Sequence, residues 1–75
     1  MGVTKLGEYF EKKSINKSGI TRKTGIGKNR LTRLSNDKST RLLADELYLI
    51  ALALDIQPSE LLEYVCGELK LKKEK

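Results

Sequence analysis

The chain has 75 residues, a length that allows one domain, and it carries a net charge of +5. It contains a single cysteine, Cys66, and no histidine. This excludes an intramolecular disulfide and argues against a metal site or a histidine-activated nucleophile, so we expect no metal, no cofactor and an inert thiol. No apolar run approaches the roughly 18 residues of a membrane span, and no signal peptide is evident, which predicts a cytoplasmic protein.

Charge is distributed unevenly along the sequence. Residues 1–41 contain eleven Lys and Arg against three Asp and Glu, a net charge of +8. Residues 42–65 contain five acids and no Lys or Arg, and residues 66–75 return to +2. Such segregation favours a basic face directed at a polyanion such as nucleic acid. A helical protein with an uneven but unpartnered surface charge is the alternative.

Helical spacing predicts a first helix across residues 4–13. Leu6 and Phe10 lie four residues apart, so they would share one buried face, and Thr4 is a suitable N-cap.

A second helix is predicted over residues 17–24, with Asn16 or Ser18 as its N-cap. Gly25 follows the last helical position, where glycine adopts the left-handed conformation at little cost. Gly27 then occupies the N-cap position of the next helix. The sequence therefore predicts two short helices joined by a glycine-containing turn.

The third helix is predicted over residues 28–35, with Leu31 and Leu34 on its buried side. At 100° per residue, the opposite face presents amide, hydroxyl, ammonium and guanidinium groups and no acid. Such groups hydrogen-bond to the edges of bases in the major groove of DNA. Asn29 lies opposite the two leucines, with Thr32 and Arg33 on either side, Lys28 at the start of the helix and Arg30 on its flank.

Two further helices complete the pattern. The fourth covers roughly residues 43–54, although residues 40–43 could be cap or helix, and Asp55 ends it in the left-handed region. The fifth opens with Pro58 at its first position and ends near Gly67. Its apolar residues are Leu61, Leu62 and Val65.

These elements predict an all-α, compact bundle of five short helices. We expect a helix-turn-helix domain over residues 1–66 and a charged tail over residues 67–75. Tyr48 and Tyr64 are interpreted as half-buried packing residues, since a stacking platform for single-stranded nucleic acid would need more aromatic side chains.

The segment 17–36 resembles the helix-turn-helix of the lambda-repressor-like (Cro/cI, XRE-type) family. Residues 49–56 and 58–62 are similar to the family's fourth and fifth helices, so the resemblance covers about residues 4–65. Thr21, Gly27 and Asp55 depart from the family pattern, as does Lys17-Ser18 in place of the usual glutamine. The matching residues of the motif are Ile20, Thr24, Gly25, Ile26, Leu31 and Leu34.

The resemblance implies a sequence-specific regulator that binds double-stranded DNA through the major groove, with Lys28, Asn29, Thr32 and Arg33 at the base edges. Phosphate contacts would come from Lys17, Ser18, Arg30, Lys38, Ser39 and Thr40. Many relatives pair with a second copy near Leu61, Leu62 and Val65, although these three could equally be core. A homodimeric repressor is therefore expected.

Other functions receive less support from the sequence. A helix-turn-helix module that docks a protein partner, such as an antitoxin, is the main alternative. RNA binding is disfavoured by the scarcity of aromatic residues. No small-molecule substrate is indicated, and an enzyme is the least expected class.

Overall fold

A computed structural model describes residues 3–72. The predicted all-α fold is confirmed, with the observed ends of each helix within about one residue of those expected. Among the described residues there is no β-strand, and no helix is both long and apolar enough to cross a membrane. The five helices are α1 (Lys5–Lys12), α2 (Lys17–Thr24), α3 (Lys28–Asn36), α4 (Ala44–Leu54) and α5 (Pro58–Cys66).

The helices pack in pairs around one core. α1 contacts α3 and α5, α2 contacts α3 and α4, and α4 contacts α5. α2 is thus held by α4 and α3 by α1, in addition to the contact that α2 and α3 make with each other. The core consists of Leu6, Tyr9, Phe10, Ile20, Ile26, Leu31, Leu34, Leu47, Ile50, Ala51 and Leu61.

The first two helices begin at side-chain caps. The hydroxyl of Thr4 accepts a hydrogen bond from the Gly7 amide at 3.0 Å, as the sequence predicts. Asn16 caps α2, because its Oδ1 accepts from the Ser18 amide at 2.9 Å. Each cap satisfies an amide that has no partner within the helix.

The ends of α4 are also defined by local chemistry. Leu43 is its N-cap residue, and the Glu46 carboxylate accepts from the Leu43 amide at 3.0 Å. Asp55 adopts φ 62° and ψ 40°, so the predicted left-handed ending is confirmed. Pro58 occupies the first turn of α5, where its missing amide hydrogen costs nothing.

The start of α1 is hydrogen-bonded to the end of α3. The Thr4 amide donates to the Ser35 carbonyl oxygen at 3.1 Å, and the Thr4 hydroxyl lies 2.7 Å from the Leu34 oxygen. Gly7 allows this approach, since a Cβ there would collide with the Ser35 carbonyl oxygen and lie 2.7 Å from a Val3 methyl group. The carboxyl end of α3 is therefore fixed by α1 as well as by its own core leucines.

Tyr64 and Tyr48 differ in how they pack. Tyr64 packs edge-on against Tyr9, with ring centroids 5.0 Å apart, which confirms the expected packing role. Tyr48 is 53% exposed, so it is half-buried as predicted, but it is not among the residues packed against the core. The reason is its position on α4, where it lies on the side of the helix opposite the fully buried Ile50.

Candidate nucleic-acid interface

The turn between α2 and α3 is organised by Thr24 and Gly25. The Thr24 hydroxyl donates to the Ile20 carbonyl oxygen at 2.7 Å and accepts from the Ile26 amide at 3.1 Å. Gly25 adopts φ 81° and ψ 0°, and its amide bonds to the Thr21 carbonyl oxygen. The chain then re-enters the core at Ile26, which sets the angle at which α3 leaves the turn.

One face of α3 is exposed to solvent. Lys28, Asn29, Thr32 and Arg33 are all exposed, while Leu31 and Leu34 are at most 2% exposed on the opposite side. The predicted division of α3 into a polar face and a buried face is therefore confirmed. The helix starts at Gly27 without a side-chain cap, and its first turn contains no acid, so no side chain of that turn neutralises its positive end.

Arg30, which the resemblance assigns to phosphate contact, is paired within the protein. Its Nε and one terminal nitrogen each donate to the Glu46 carboxylate at 2.9 Å, and that nitrogen also bonds to the Arg41 carbonyl oxygen at 2.8 Å. Hydrogen bonding by Arg30 lowers the pKa of Glu46, and the Leu43 amide makes a smaller contribution in the same direction. The pairing with Glu46 also raises the pKa of Arg30. Arg30 thus ties α3 to the start of α4 and is not a free cation.

The loop after α3 is held by Asp37. Its carboxylate accepts from the Ser39 amide at 2.9 Å, the Ser39 hydroxyl at 2.7 Å and the Thr40 hydroxyl at 3.0 Å. Hydrogen bonding by Ser39, followed by Thr40, lowers the pKa of Asp37. Both hydroxyl protons are therefore used inside the loop. Lys38 lies in this loop, is exposed, and forms no ion pair with any residue in 3–72.

The start of α2 contributes a second set of predicted phosphate contacts. Ser18 is exposed and Lys17 is partly exposed. The Ser18 and Gly19 amides are bonded to Asn16, to its side chain and its carbonyl oxygen respectively. What α2 offers to a ligand is therefore mainly the Lys17 ammonium and the Ser18 hydroxyl.

The three apolar residues of α5 have different surroundings. Leu61 has no exposed surface and belongs to the core, so it has nothing to offer a second copy. Val65 is partly buried against the core, and Leu62 is 49% exposed. Only Leu62 presents a large apolar surface to solvent.

Sequence reasoning missed Thr24, Asp37 and Glu46 as organisers of this region. Two of them carried a local signal. Asp37 is followed at the second and third positions by hydroxyl residues, a pattern typical of side-chain-capped turns. Glu46 lies three residues after the N-cap, where a carboxylate reaches back to the N-cap amide.

Across residues 3–72 there is no group of three or more His, Cys, Asp or Glu side chains that could hold a metal ion.

Comparison with known proteins identifies the domain type. Residues 5–67 match the family model of the Cro/C1-type HTH DNA-binding domain. The matched range spans all five helices. No curated protein and no solved structure matches the chain.

Proposed function

Because the chain belongs to the Cro/C1-type helix-turn-helix (XRE) family of DNA-binding domains, we propose that it is a regulator that reads a specific duplex sequence through α3. Members of this family are typically non-catalytic. The supporting observation is the exposed face of α3, whose four polar side chains include no acid and make no ion pair within residues 3–72.

Each side chain on that face suits a particular base edge. Asn29 can bond to both N6 and N7 of adenine, and Arg33 or Lys28 to O6 and N7 of guanine. Thr32 can contact the methyl group of thymine or a base acceptor. We therefore assign base reading to these four residues.

Phosphate contacts would flank the face on both sides. Lys17 and Ser18 lie at the start of α2, and Lys38 lies in the loop after α3. Ser39 and Thr40 would have to release Asp37 before donating to a phosphate, so in our proposal they hold the loop that carries Lys38. Arg30 positions α3 through Glu46.

We further propose that two copies bind a pseudo-palindromic site, with recognition helices about 34 Å apart in successive major grooves. A domain that covers DNA in this way blocks other proteins from the same site, which favours repression. Leu62 is the exposed apolar residue of α5 that could contribute to pairing.

Binding to duplex DNA over a range of salt concentrations tests the proposal. Lys38→Ala should weaken binding to all sequences alike and reduce the slope of log affinity against log salt by about 1, since one phosphate contact is lost. Asn29→Ala should instead relax the preference at one base pair by about 1–3 kcal/mol.

Lys12→Ala is the matched control for charge. Lys12 also carries one positive charge, but its ammonium lies 5.5 Å from the centre of the Tyr64 ring, on the α1–α5 side. Its replacement should leave the salt slope nearly unchanged. Equal effects of Lys12→Ala and Lys38→Ala would contradict the proposed binding face.

A further inference from the structure

α4 carries apolar residues around its whole circumference. Ile50 and Ala51 are fully buried, yet Tyr48 is 53% exposed and Leu52 is 54% exposed on the outer side. A helix that is apolar all round is normally covered on every side. The outer face of α4 therefore lacks a partner among residues 3–72.

This face borders a groove, which we call the α4 groove. It has a volume of about 480 Å³ and lies between the outer face of α4 and the α4–α5 connection. Its lining combines apolar side chains with the acids Asp55 and Glu60 and contains no Lys or Arg. The lining residues are Tyr48, Leu52, Asp55, Ile56, Gln57, Pro58 and Glu60.

The segment after α5 has complementary chemistry. Leu69 is 77% exposed and Leu71 is 95% exposed, and the alternating Lys70 and Lys72 are exposed as well. In an extended chain, residues two apart lie about 6.6 Å from each other on the same face. Tyr48 and Leu52, four residues apart on a helix, are offset by about 6 Å. The two leucines thus match the spacing of the two apolar positions on α4.

The segment leaves its own protomer at the far end of α5 from the groove. Lys5, at the start of α1, forms an ion pair with Glu68 at 3.0 Å, and Tyr9 meets Tyr64, so α1 and α5 run antiparallel. The groove lies at the beginning of α5, about 13 Å away along that nine-residue helix. The Glu68 ion pair anchors the segment at the opposite end.

We propose that the α4 groove of one copy binds residues 69–72 of a second copy, and that the exchange is reciprocal. Leu69 and Leu71 pack on the outer face of α4, while Lys70 and Lys72 face the acids of the groove. A symmetric contact between two α4 faces would instead bring like charges together, which disfavours it. These contact surfaces belong to the homodimer of the proposed function, on which this exchange rests.

Complementary charge changes test this in the full chain. The groove variant is Asp55→Asn with Glu60→Lys, where asparagine tolerates the left-handed position. The segment variant is Lys70→Glu with Lys72→Glu. In sedimentation velocity each variant alone should be monomeric where the unchanged protein dimerises, and an equimolar mixture should recover a one-to-one dimer. A mixture that stays monomeric would overturn the proposal.

A second set of variants removes apolar contact. Leu52→Asp and Leu71→Asp should each weaken dimerisation by about tenfold to a hundredfold, the value of burying one leucine. Leu43→Asp is the matched control, since Leu43 is 53% exposed but lies outside the groove. Loss of the dimer with Leu62→Asp but not with Leu52→Asp would place the contact on α5 and overturn the proposal. The proposal would also be overturned if the unchanged protein were monomeric.

DNA binding by these variants separates this inference from the proposed function. Leu52→Asp should weaken the dimer yet keep salt-dependent binding of a single half-site. If the segment variant loses half-site affinity while its dimerisation is unchanged, residues 69–72 contact DNA and the groove proposal is wrong. If neither the unchanged protein nor any variant binds DNA, the proposed function is wrong. The sedimentation experiment would still test whether the α4 groove binds residues 69–72.

Discussion

Replacement of Gly25 by alanine tests the turn that sets the angle between α2 and α3. Gly25 has φ 81°, and a Cβ there would meet no atom within 4 Å. The cost is therefore conformational and not steric. A left-handed backbone costs an alanine about 1–2 kcal/mol, so Gly25→Ala should lower the free energy of unfolding by at least about 1 kcal/mol.

Gly27→Ala is the matched control, two residues away. Gly27 also has open space around it, but its φ of −62° and ψ of 152° suit any residue. Alanine at this position restricts the unfolded chain, which raises the free energy of unfolding by about 0.4–1 kcal/mol. Alanine is also a poorer N-cap than glycine, which lowers the free energy of unfolding, so the two effects nearly cancel. The two variants should differ by about 1 kcal/mol, or roughly 4–8 °C in midpoint temperature for a domain of this size.

Urea and thermal unfolding followed by circular dichroism would measure this difference. Affinity for duplex DNA should follow it, because the turn directs the exposed face of α3. Equal stability of the two variants would refute the reasoning, since it would mean that the Gly25 backbone does not need the left-handed conformation.

Three further changes have expected outcomes. Thr21→Val should raise the free energy of unfolding by about 1 kcal/mol, because the buried Thr21 hydroxyl has no hydrogen-bond partner; a loss in urea unfolding would contradict this. Gly7→Ala should lower that free energy by about 1–3 kcal/mol through overpacking against Ser35, and thermal unfolding would measure it. Glu46→Gln should destabilise at neutral pH. Arg30 lowers the pKa of Glu46 in the folded state. The contribution of the Glu46 carboxylate to the free energy of unfolding is therefore complete above the ordinary glutamate pKa and is lost as pH falls through the lowered value. In acid unfolding experiments the difference in stability between Glu46→Gln and the unchanged protein should accordingly shrink.

The helices and most of the core were predictable because they depend on local spacing and local backbone preference. Leu31 and Leu34 define the buried side of α3 by their three-residue separation, and this also defines the exposed side. Gly25 and Asp55 marked helix ends because few other residue types tolerate positive φ.

The remaining features depend on how helices are placed relative to each other. Arg30 looks like any other cation on a basic helix, and its pairing with Glu46 joins residues sixteen positions apart. Leu61 and Leu62 are adjacent and equally apolar, so composition could not decide which one is core. Leu61 is buried and Leu62 is exposed because they lie 100° apart around a helix that packs against the core on one side.

The most direct test of the account is selection of binding sites from random duplex DNA, with the unchanged protein and with Asn29→Ala. We predict a defined consensus for the unchanged protein, and for the variant the same consensus with its preference lost at one position in each half-site. Lys12→Ala should return the original consensus. If the unchanged protein enriches no sequence, the exposed face of α3 does not read base edges, and the central claim is contradicted.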